Sequence, residues 1–268
     1  MPVTKANGID LYYEVHGEGE PLLLIMGLSL SSRSWFRSVP VLSEHYQVII
    51  FDNRGVGQSG KPNTPYSIEL MAEDTRAVLD AVGVESAHVY GISMGGMIAQ
   101  RFALKYPNRV KSLILGCTTS GGATHVQPGA DVSMLMMSRA SSTATPEEMA
   151  WATAPILYSQ SFIENHRQLI AEDIEKRIEQ PILPHAYVLQ LQACIGHDTS
   201  EEINTIQKPT LIIHGNEDKL VPYENGVVLA EKIPNAEFLT IQGAGHIYVT
   251  EAIDLANQKV LEFLNKQR

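Results

Sequence analysis

Cysteine is scarce in this sequence, with Cys117 and Cys194 as the two examples among 268 residues. Two thiols so far apart in the chain provide no disulfide framework, so the sequence suits a reducing compartment. Neither cysteine lies in a motif that would activate a thiolate. We therefore interpret both as small buried apolar residues.

Positive charge is also in deficit. The chain has 20 Lys and Arg residues against 30 Asp and Glu residues, for a formal net charge of −10. A surface of this sign does not neutralise phosphates, which argues against a nucleic-acid partner. The net charge says little about a small substrate, because such a substrate experiences only the local field of its pocket.

Long apolar runs are missing. The longest, from Leu22 to Leu28, is far shorter than the roughly 20 residues that a helix needs to cross a bilayer. No apolar signal segment follows Met1. These absences predict a cytoplasmic protein with no membrane span. The sequence carries no signal that sets an oligomeric state.

Signatures of metal and cofactor binding are absent as well. The histidines, including His197 and His214, have no Cys or Glu partners at zinc spacing. The glycine loops around Gly27 and Gly55 lack the lysine of a phosphate loop, and no dinucleotide fingerprint follows a strand. The sequence predicts no metal and no cofactor. His88, inside an apolar run, is interpreted as a core residue whose polar atoms are satisfied.

Short apolar runs alternate with amphipathic segments of helical length over most of the chain. Residues 9–15 alternate in the manner of an antiparallel strand and end at a glycine turn. Runs typical of strands buried on both faces are 22–26, 48–51, 88–90, 110–115, 210–214 and 237–241. The helical segments between them include 68–82, 94–106, 224–233 and 252–264. This alternation predicts an α/β fold, with a mostly parallel sheet covered by helices on both faces.

The alternation stops between about residues 118 and 204, where no strand-like run occurs. Helix-start signals occur there instead. The run Thr-Pro-Glu-Glu at 145–148 combines an N-cap, a proline at the first helical position and a capping-box glutamate. A second capping-box spacing begins at Ser161. We predict a helical cap, residues 119–204, inserted into a discontinuous core of residues 1–118 and 205–268.

The clearest chemical signal is the run Gly-Ile-Ser-Met-Gly at 91–95, which matches G-x-S-x-G. A strand-like run precedes it and an apolar helical segment follows. A sharp strand-to-helix turn of this kind lifts Ser93 clear of the sheet, and the glycines allow neighbouring backbone to approach. The free N–H groups of the helix then point to where an oxyanion would develop. The pattern also arises by chance in glycine-rich turns, but this context favours Ser93 as a catalytic nucleophile.

A serine hydroxyl is a weak nucleophile without a base, so a histidine and an orienting acid are expected downstream. His246 lies in a glycine-rich loop after the run at 237–241, where α/β sheets build their sites. The acid is Asp218 or its neighbour Glu217, both just past the run at 210–214. The residues alone leave this choice open.

The chain resembles the α/β-hydrolase superfamily over essentially its full length, beginning with the order Ser93, Asp218, His246. The segment 51–59 (FDNRGVGQS) resembles the family's D-x-R-G-x-G-x-S loop, and 215–222 resembles its G-x-x-D-x-x-x-P loop. The resemblance is strongest to small carboxylesterases and to aclacinomycin methylesterase-like and 3-oxoadipate enol-lactonase-like hydrolases. These share the NRGVGQS and GISMGGMIAQ runs.

The resemblance implies an α/β-hydrolase fold with helices on both faces of the sheet and an inserted helical cap. It favours Asp218 over Glu217 as the acid of a Ser93–His246–Asp218 triad. It also implies that Asp52 and Arg54 order their loop rather than act in catalysis.

The sequence departs from the family pattern at the oxyanion loop, where Met26 replaces the histidine that most relatives carry before the glycine. The expected oxyanion donors are the backbone N–H groups of Leu28 and Met94, which any residue type can supply. The substitution therefore bears on the rigidity and polarity of the loop more than on the chemistry.

These residues predict a serine hydrolase that cleaves carboxylic esters of small molecules through an acyl-enzyme. Alternatives on the same triad are an enol-lactone-type lactonase, an amidase or aminopeptidase, and a carbon–carbon bond hydrolase. A haloalkane dehalogenase would need an aspartate at position 93. A ligand receptor on the same fold is the non-enzymatic alternative, and slow single-turnover hydrolysis would reveal it.

The predicted cap should lie over the carboxyl ends of the strands and roof Ser93. Candidates for the pocket wall are Met26, Gly27, Met134, Met137, Trp151 and Tyr158. An apolar wall of this kind would prefer short to medium acyl chains over charged substrates. Plain core packing is the alternative role for the methionines.

Overall fold

A central sheet of eight strands organises the fold. The computed structural model describes residues 2–268, leaving aside the side chain of residue 140. The strands are β1 (Val3–Ala6), β2 (Ile9–His16), β3 (Pro21–Ile25), β4 (Gln47–Phe51), β5 (Ala87–Ile92), β6 (Val110–Gly116), β7 (Thr210–Gly215) and β8 (Glu237–Ile241). They are arranged in the order β1-β2-β4-β3-β5-β6-β7-β8. The β1–β2 and β2–β4 pairs are antiparallel, and the other pairs are parallel.

The apolar runs become strands because both faces of the sheet are covered. Successive side chains of a strand point to opposite faces, so a strand covered on both sides must be apolar throughout. In β3, Leu23 and Ile25 join one buried cluster, whereas Leu22 and Leu24 join another on the opposite face. The prediction of a mostly parallel sheet with helices on both faces is confirmed.

The expectation of burial on both faces was wrong for β8. Its first residue, Glu237, is exposed, and Ile241 is its one fully buried residue. The strand lies at the edge of the sheet and pairs with β7 alone. Its apolar side chains are only partly covered, because β8 is an edge strand and not a central one. At the opposite edge, the sequence-based interpretation missed β1, whose residues alternate between exposed and half-buried.

Eleven α-helices accompany this sheet in the part of the chain described. They are α1 (Val39–Leu42), α2 (Ile68–Val82), α3 (Met94–Lys105), α4 (Ala130–Ser138), α5 (Pro146–Leu157), α6 (Gln160–Asn165), α7 (Arg167–Ile178), α8 (Pro184–Ile195), α9 (Glu224–Lys232), α10 (Tyr248–Glu251) and α11 (Ile253–Asn265). Buried residues of α2, α3 and α9 pack on one face of the sheet. Those of α1 and α11 pack on the other face.

Helices α4 to α8 lie within the segment 119–204, here called the helical insert. Thr145 caps α5 with the predicted capping box. The Glu148 N–H donates to the Thr145 hydroxyl, and the Thr145 N–H donates to the Glu148 carboxylate. The helix start predicted at Ser161 was wrong. Ser159 caps α6 instead, and α7 begins separately at Arg167. The insert has its own small apolar cluster, drawn from α4 to α7. Its status as a separate domain stays a prediction.

The parallel strands bring their carboxyl ends to one edge of the sheet. The loops after β3, β5, β7 and β8 carry Leu28, Ser93, Asp218 and His246 in that order. Ligand sites of open α/β sheets are built at this edge. Within residues 2–268, every helix falls short of the length and apolarity that a membrane crossing requires.

Candidate active site

The turn between β5 and α3 holds Ser93 in an unusual conformation. Its backbone has φ 56° and ψ −122°, in a region that residues with a Cβ rarely adopt. Crowding explains the flanking glycines: a Cβ on Gly91 would lie 2.1 Å from Gly95 O, and one on Gly95 would lie 2.1 Å from Ile25 O. Ser93 N–H donates to Gly116 O at 2.8 Å, which ties the turn to β6. Contacts with the neighbouring strands β3 and β6 therefore maintain the strained backbone conformation of Ser93.

Two backbone N–H groups next to Ser93 or to the loop beside it have no protein acceptor among the described residues. Met94 is the first residue of α3, so its N–H has no intrahelical partner. Leu28 follows Gly27, on which a Cβ would lie 3.0 Å from Ser93 Cβ, so this loop passes directly beside the serine. Met26 O accepts from Asn53 Nδ2 at 2.9 Å, which fixes the start of the loop. These two amides are the ones predicted to bind an oxyanion.

Asp218 and His246 are joined directly. His246 Nδ1 lies 2.7 Å from Asp218 Oδ2, and both side chains are buried. The other carboxylate oxygen, Oδ1, accepts from the N–H groups of Leu220 and Val221 at 2.9 Å each. Because a carboxylate accepts, His246 Nδ1 is the donor and Nε2 is left as the basic nitrogen.

Opposing effects set the protonation of Asp218. Burial alone would raise the pKa of this carboxyl, but the charge of His246 and hydrogen bonds from His214 and His246 hold the pKa well below its usual range. The group therefore stays ionised near neutral pH. Glu217 is exposed and makes no hydrogen bond to His246, so the structure brings Asp218 and not its neighbour to the histidine.

His214, the histidine of β7, was considered from the sequence as a zinc ligand and was given no role beside the candidate acid. It is fully buried, its Nε2 lies 2.8 Å from Val221 O, and the same nitrogen is 3.3 Å from Asp218 Oδ2. Since a carbonyl accepts, Nε2 carries the proton and Asp218 shares it. The signal was its place four residues before the candidate acid, at a strand end.

The loop that carries His246 is tied to the helical insert. Gly245 N–H donates to Glu251 Oε1 at 2.9 Å, and Glu251 also accepts from the N–H and hydroxyl of Ser159. Ile247 N–H donates to Leu157 O at 3.0 Å. The end of α5 and the cap of α6 therefore help to position this loop.

A cavity of about 640 Å³ lies between the strand-end loops and the insert. Both Ser93 and His246 line it, as do the predicted wall residues Met26, Gly27, Met137 and Tyr158. Its size is typical of a pocket for a small organic molecule. No hydrogen bond joins Ser93 Oγ to His246 in the part of the chain described, and such contacts often tighten only when substrate is bound.

Met134 and Trp151 do not line this cavity, which corrects the expectation that they form its wall. Met134 is 66% exposed on α4. The ring of Trp151 packs beneath the guanidinium of Arg167, whose carbon lies 4.2 Å from the ring centroid. Both side chains therefore lie outside the cavity, Met134 toward solvent and Trp151 against Arg167.

The residues expected to be structural make structural contacts. Arg54 forms a buried ion pair with Asp74 at 2.6 Å, and Asp52 accepts from the N–H groups of Ser32 and Gln58 at 2.8 Å each. Neither Asp52 nor Arg54 lines the cavity. Cys117 is buried, but Cys194 is half-buried and lines the cavity, which corrects the expectation of burial for it. Desolvation raises the pKa of the Cys194 thiol to about 12, and that of Cys117 is raised as well. Both thiols therefore stay protonated.

His88 is only half satisfied, contrary to the expectation for it. Its Nδ1 lies 2.7 Å from Ser112 Oγ, but Nε2 has no hydrogen-bond partner among the described residues. Burial lowers the pKa of His88, which favours the neutral ring.

One group of buried side chains has ligand-type atoms close enough to hold a metal. Within residues 2–268, the candidate atoms of Cys117, His214 and Asp218 lie within 4.8 Å of one another. A metal would need a thiolate there, whereas burial keeps the Cys117 thiol protonated. The proton on His214 Nε2 is also shared between Val221 O and Asp218. These contacts favour a hydrogen-bonded cluster over a metal centre.

Comparison with known proteins places the chain among hydrolases. The sequence profile described as alpha/beta hydrolase fold matches residues 20–252. A protein of Azorhizobium caulinodans assigned as the carbamate hydrolase RutD is 31% identical over 263 residues, covering 98% of each chain. The poly(3-hydroxyalkanoate) depolymerase of Ectopseudomonas oleovorans is 31% identical over 248 residues, covering 92% of this chain and 85% of that one.

A solved structure agrees with the sequence relatives. The enol-lactonase from Burkholderia xenovorans LB400 superposes with a TM-score of 0.88 at 25% identity, over 98% of this chain and 100% of that one. The matched profile spans most of the chain, and the relatives cover nearly all of it. The chain therefore belongs to the α/β-hydrolase family.

Proposed function

We propose that the protein is a serine hydrolase that cleaves carboxylic esters of small molecules, with Ser93, His246 and Asp218 as its catalytic triad. The observation that carries this proposal is the 2.7 Å contact between His246 Nδ1 and Asp218 Oδ2, in a loop lining the same cavity as Ser93. A histidine held in this tautomer presents a basic nitrogen to the cavity, which is what a serine nucleophile requires.

The first half of the reaction forms an acyl-enzyme. His246 Nε2 takes the proton of Ser93 as Oγ attacks the ester carbonyl, and Asp218 stabilises the imidazolium that results. The negative charge that develops on the carbonyl oxygen is received by the N–H groups of Leu28 and Met94. The tetrahedral intermediate then collapses, and the leaving alcohol takes the proton from His246.

The second half releases the acid. Water enters in place of the alcohol, His246 removes its proton, and the resulting hydroxide attacks the acyl carbonyl on the same two amides. When this intermediate collapses, Ser93 Oγ leaves and regains its proton from His246. Each amide donor is worth about 3 kcal/mol of transition-state stabilisation. The lack of an intrahelical partner for the Met94 N–H supports this role for it.

A lactone is the second candidate substrate, because the solved enol-lactonase superposes over almost the whole chain. A lactone is an internal ester, so the same attack opens its ring and the leaving alcohol stays attached to the acyl group. Turnover of a lactone in preference to open-chain esters of equal size would favour this candidate.

The test compares two serines on the wall of the same cavity. Ser93→Ala should remove hydrolysis of p-nitrophenyl butyrate, with a loss of about six orders of magnitude in kcat by comparison with other serine hydrolases. Ser34→Ala serves as the control, because Ser34 lines the cavity but lies outside the proposed triad. It should retain activity within about threefold. Circular dichroism and thermal unfolding establish that both variants fold.

Two results would count against this function. Near-wild-type turnover by purified Ser93→Ala protein would remove Ser93 from the chemistry. One slow turnover per molecule in the wild type, with the product retained, would instead favour a ligand receptor on this fold.

A further inference from the structure

Five side chains that carry a full charge line the cavity, and three of them are compensated or solvated. Asp173 is paired with Arg37 at 3.3 Å and accepts from Tyr158 and Thr250. Lys176 donates to Glu179 at 2.8 Å. Asp198 is exposed and accepts from the N–H and hydroxyl of Ser200. None of these three leaves a buried charge without a partner.

The other two, Arg139 and Arg177, have no anionic partner. Neither lies within 4.0 Å of a carboxylate oxygen in the part of the chain described. Arg139 donates to Ser29 Oγ at 3.3 Å and its guanidinium carbon lies 4.8 Å from the ring centroid of Tyr187, but both of these groups are neutral. Arg177 makes no hydrogen bond to another described residue. Both cations are half-buried and belong to the insert.

The two positive charges also act on each other. Burial lowers the pKa of Arg139, the charge of Arg177 lowers it further, and the result is about 10. Arg139 therefore stays charged at neutral pH. Partly buried cations are unfavourable without a counter-charge, and two that line one cavity add their mutual repulsion. An anion bound in the cavity near both would relieve both costs.

Helix ends account for only part of this arrangement. Arg139 caps α4 at its carboxyl end and Arg177 lies in the last turn of α7, where a cation interacts favourably with the unpaired carbonyls. That interaction does not require the two helix ends to converge on one cavity. Their convergence there is the independent observation.

The location of Arg139 links this pair to the candidate active site. Its partner Ser29 follows Leu28, one of the two proposed oxyanion donors. An anion bound to Arg139 would therefore share the cavity with an ester carbonyl placed on Ser93. A carboxylate suits a guanidinium best, because its two oxygens match the planar fork of donors.

We propose that the substrate carries a carboxylate in addition to its ester or lactone bond, and that Arg139 and Arg177 bind this carboxylate. Identifying the bound molecule as a substrate rests on the proposed function. The anion site itself does not depend on that function. It reverses the expectation of an apolar wall that prefers uncharged acyl chains.

The experiment compares monomethyl adipate with dimethyl adipate, which share a skeleton and differ in one charge. In the wild type, kcat/KM should favour the monoester. In Arg177→Gln and in Arg139→Gln, the ratio of kcat/KM for monoester over diester should fall at least about tenfold, through KM, because one charge-assisted contact is lost. Arg167→Gln is the matched control: it removes the same charge from the same helix, but Arg167 is exposed and does not line the cavity. Its ratio should equal that of the wild type.

An unchanged ratio in both cavity variants overturns the proposal, and so does an equal fall in Arg167→Gln. If Arg139→Gln does not fold, Arg177→Gln decides alone. Calorimetric binding of monomethyl adipate to Ser93→Ala protein separates this proposal from the proposed function. Binding that is lost when Arg177→Gln is added supports the anion site whether or not Ser93 is the nucleophile. Absence of binding, or binding that Arg177→Gln leaves unchanged, rejects the site.

Discussion

The strand-end loops and the helical insert form opposite walls of one cavity and are built in different ways. Ser93, Asp218 and Leu28 each follow a buried parallel strand, and hydrogen bonds with backbone groups hold Ser93 and Asp218. The insert supplies its wall from helix ends and helix faces, including Arg139 and Arg177. The first wall holds the groups proposed for bond cleavage, whereas the second is suited to select what is cleaved.

This difference teaches that chemistry and specificity draw on different kinds of structural information. Around Ser93, backbone crowding leaves few alternatives: a Cβ on Gly91 or Gly95 would overlap neighbouring backbone. In the insert, side chains of similar type on the same helix have different surroundings. Met137 lines the cavity and Met134 does not, although each is about two-thirds exposed, at 64% and 66%.

The largest effect should come from the acid of the strand-end wall. Asp218→Asn should lower kcat by about 10⁴-fold, as in serine proteases, because the amide no longer holds the His246 tautomer or stabilises its charge. Glu217→Gln is the control at the adjacent exposed position and should change kcat less than about threefold. Steady-state kinetics with p-nitrophenyl butyrate on both folded variants tests this. The reverse ranking would move the acid role to Glu217 and weaken the contrast between the two walls.

Much of the strand-end wall could be predicted from the sequence, since each part has a local signal. The sheet follows from apolar runs, the turn at Ser93 from its glycines, and the candidates Asp218 and His246 from their places after strands. The choice between Asp218 and Glu217 rested on a family resemblance, because their burial depends on how the loop folds back on β8. Neighbouring residues in one loop carry no sequence signal for that difference.

The insert was predictable only in outline. Capping residues such as Thr145 predict where its helices begin. How the helices pack depends on contacts between residues that are far apart in the sequence. Trp151 was expected in the wall and instead packs beneath Arg167. The arginine pair has no local signature at all, because Arg139 and Arg177 lie on different helices and each is an ordinary residue at a helix end.

A stability measurement in acid can sharpen the account of the strand-end wall. The folded state lowers the pKa of Asp218 below its ordinary value of 3.8, so its ionisation stabilises the fold above that pH. The contribution is lost as pH falls below the ordinary value toward the lower folded pKa. Urea unfolding of wild type and Asp218→Asn should differ by about 1 to 3 kcal/mol between pH 5 and 7. The difference should shrink below pH 3.8. A difference that is the same at every pH would show that the carboxylate charge does not contribute.

The smallest effect should come from Met137, in the insert. Met137→Ala removes a side chain that is about two-thirds exposed, so KM for p-nitrophenyl hexanoate should change by about two- to threefold relative to the acetate, with kcat little altered. Met134→Ala is the matched control, one helical turn away and equally exposed but outside the cavity. Equal effects of the two substitutions, or none from either, would remove Met137 from the functional wall.

The central claim is that Ser93 is a nucleophile activated by His246, which Asp218 holds in place. It is tested most directly by treating the wild type and Asp218→Asn with a serine-reactive fluorophosphonate and mapping the adduct by mass spectrometry. The account predicts one adduct per chain, on Ser93, formed far more slowly in Asp218→Asn. A label on another serine, or a Ser93 label whose rate does not depend on Asp218, would contradict it.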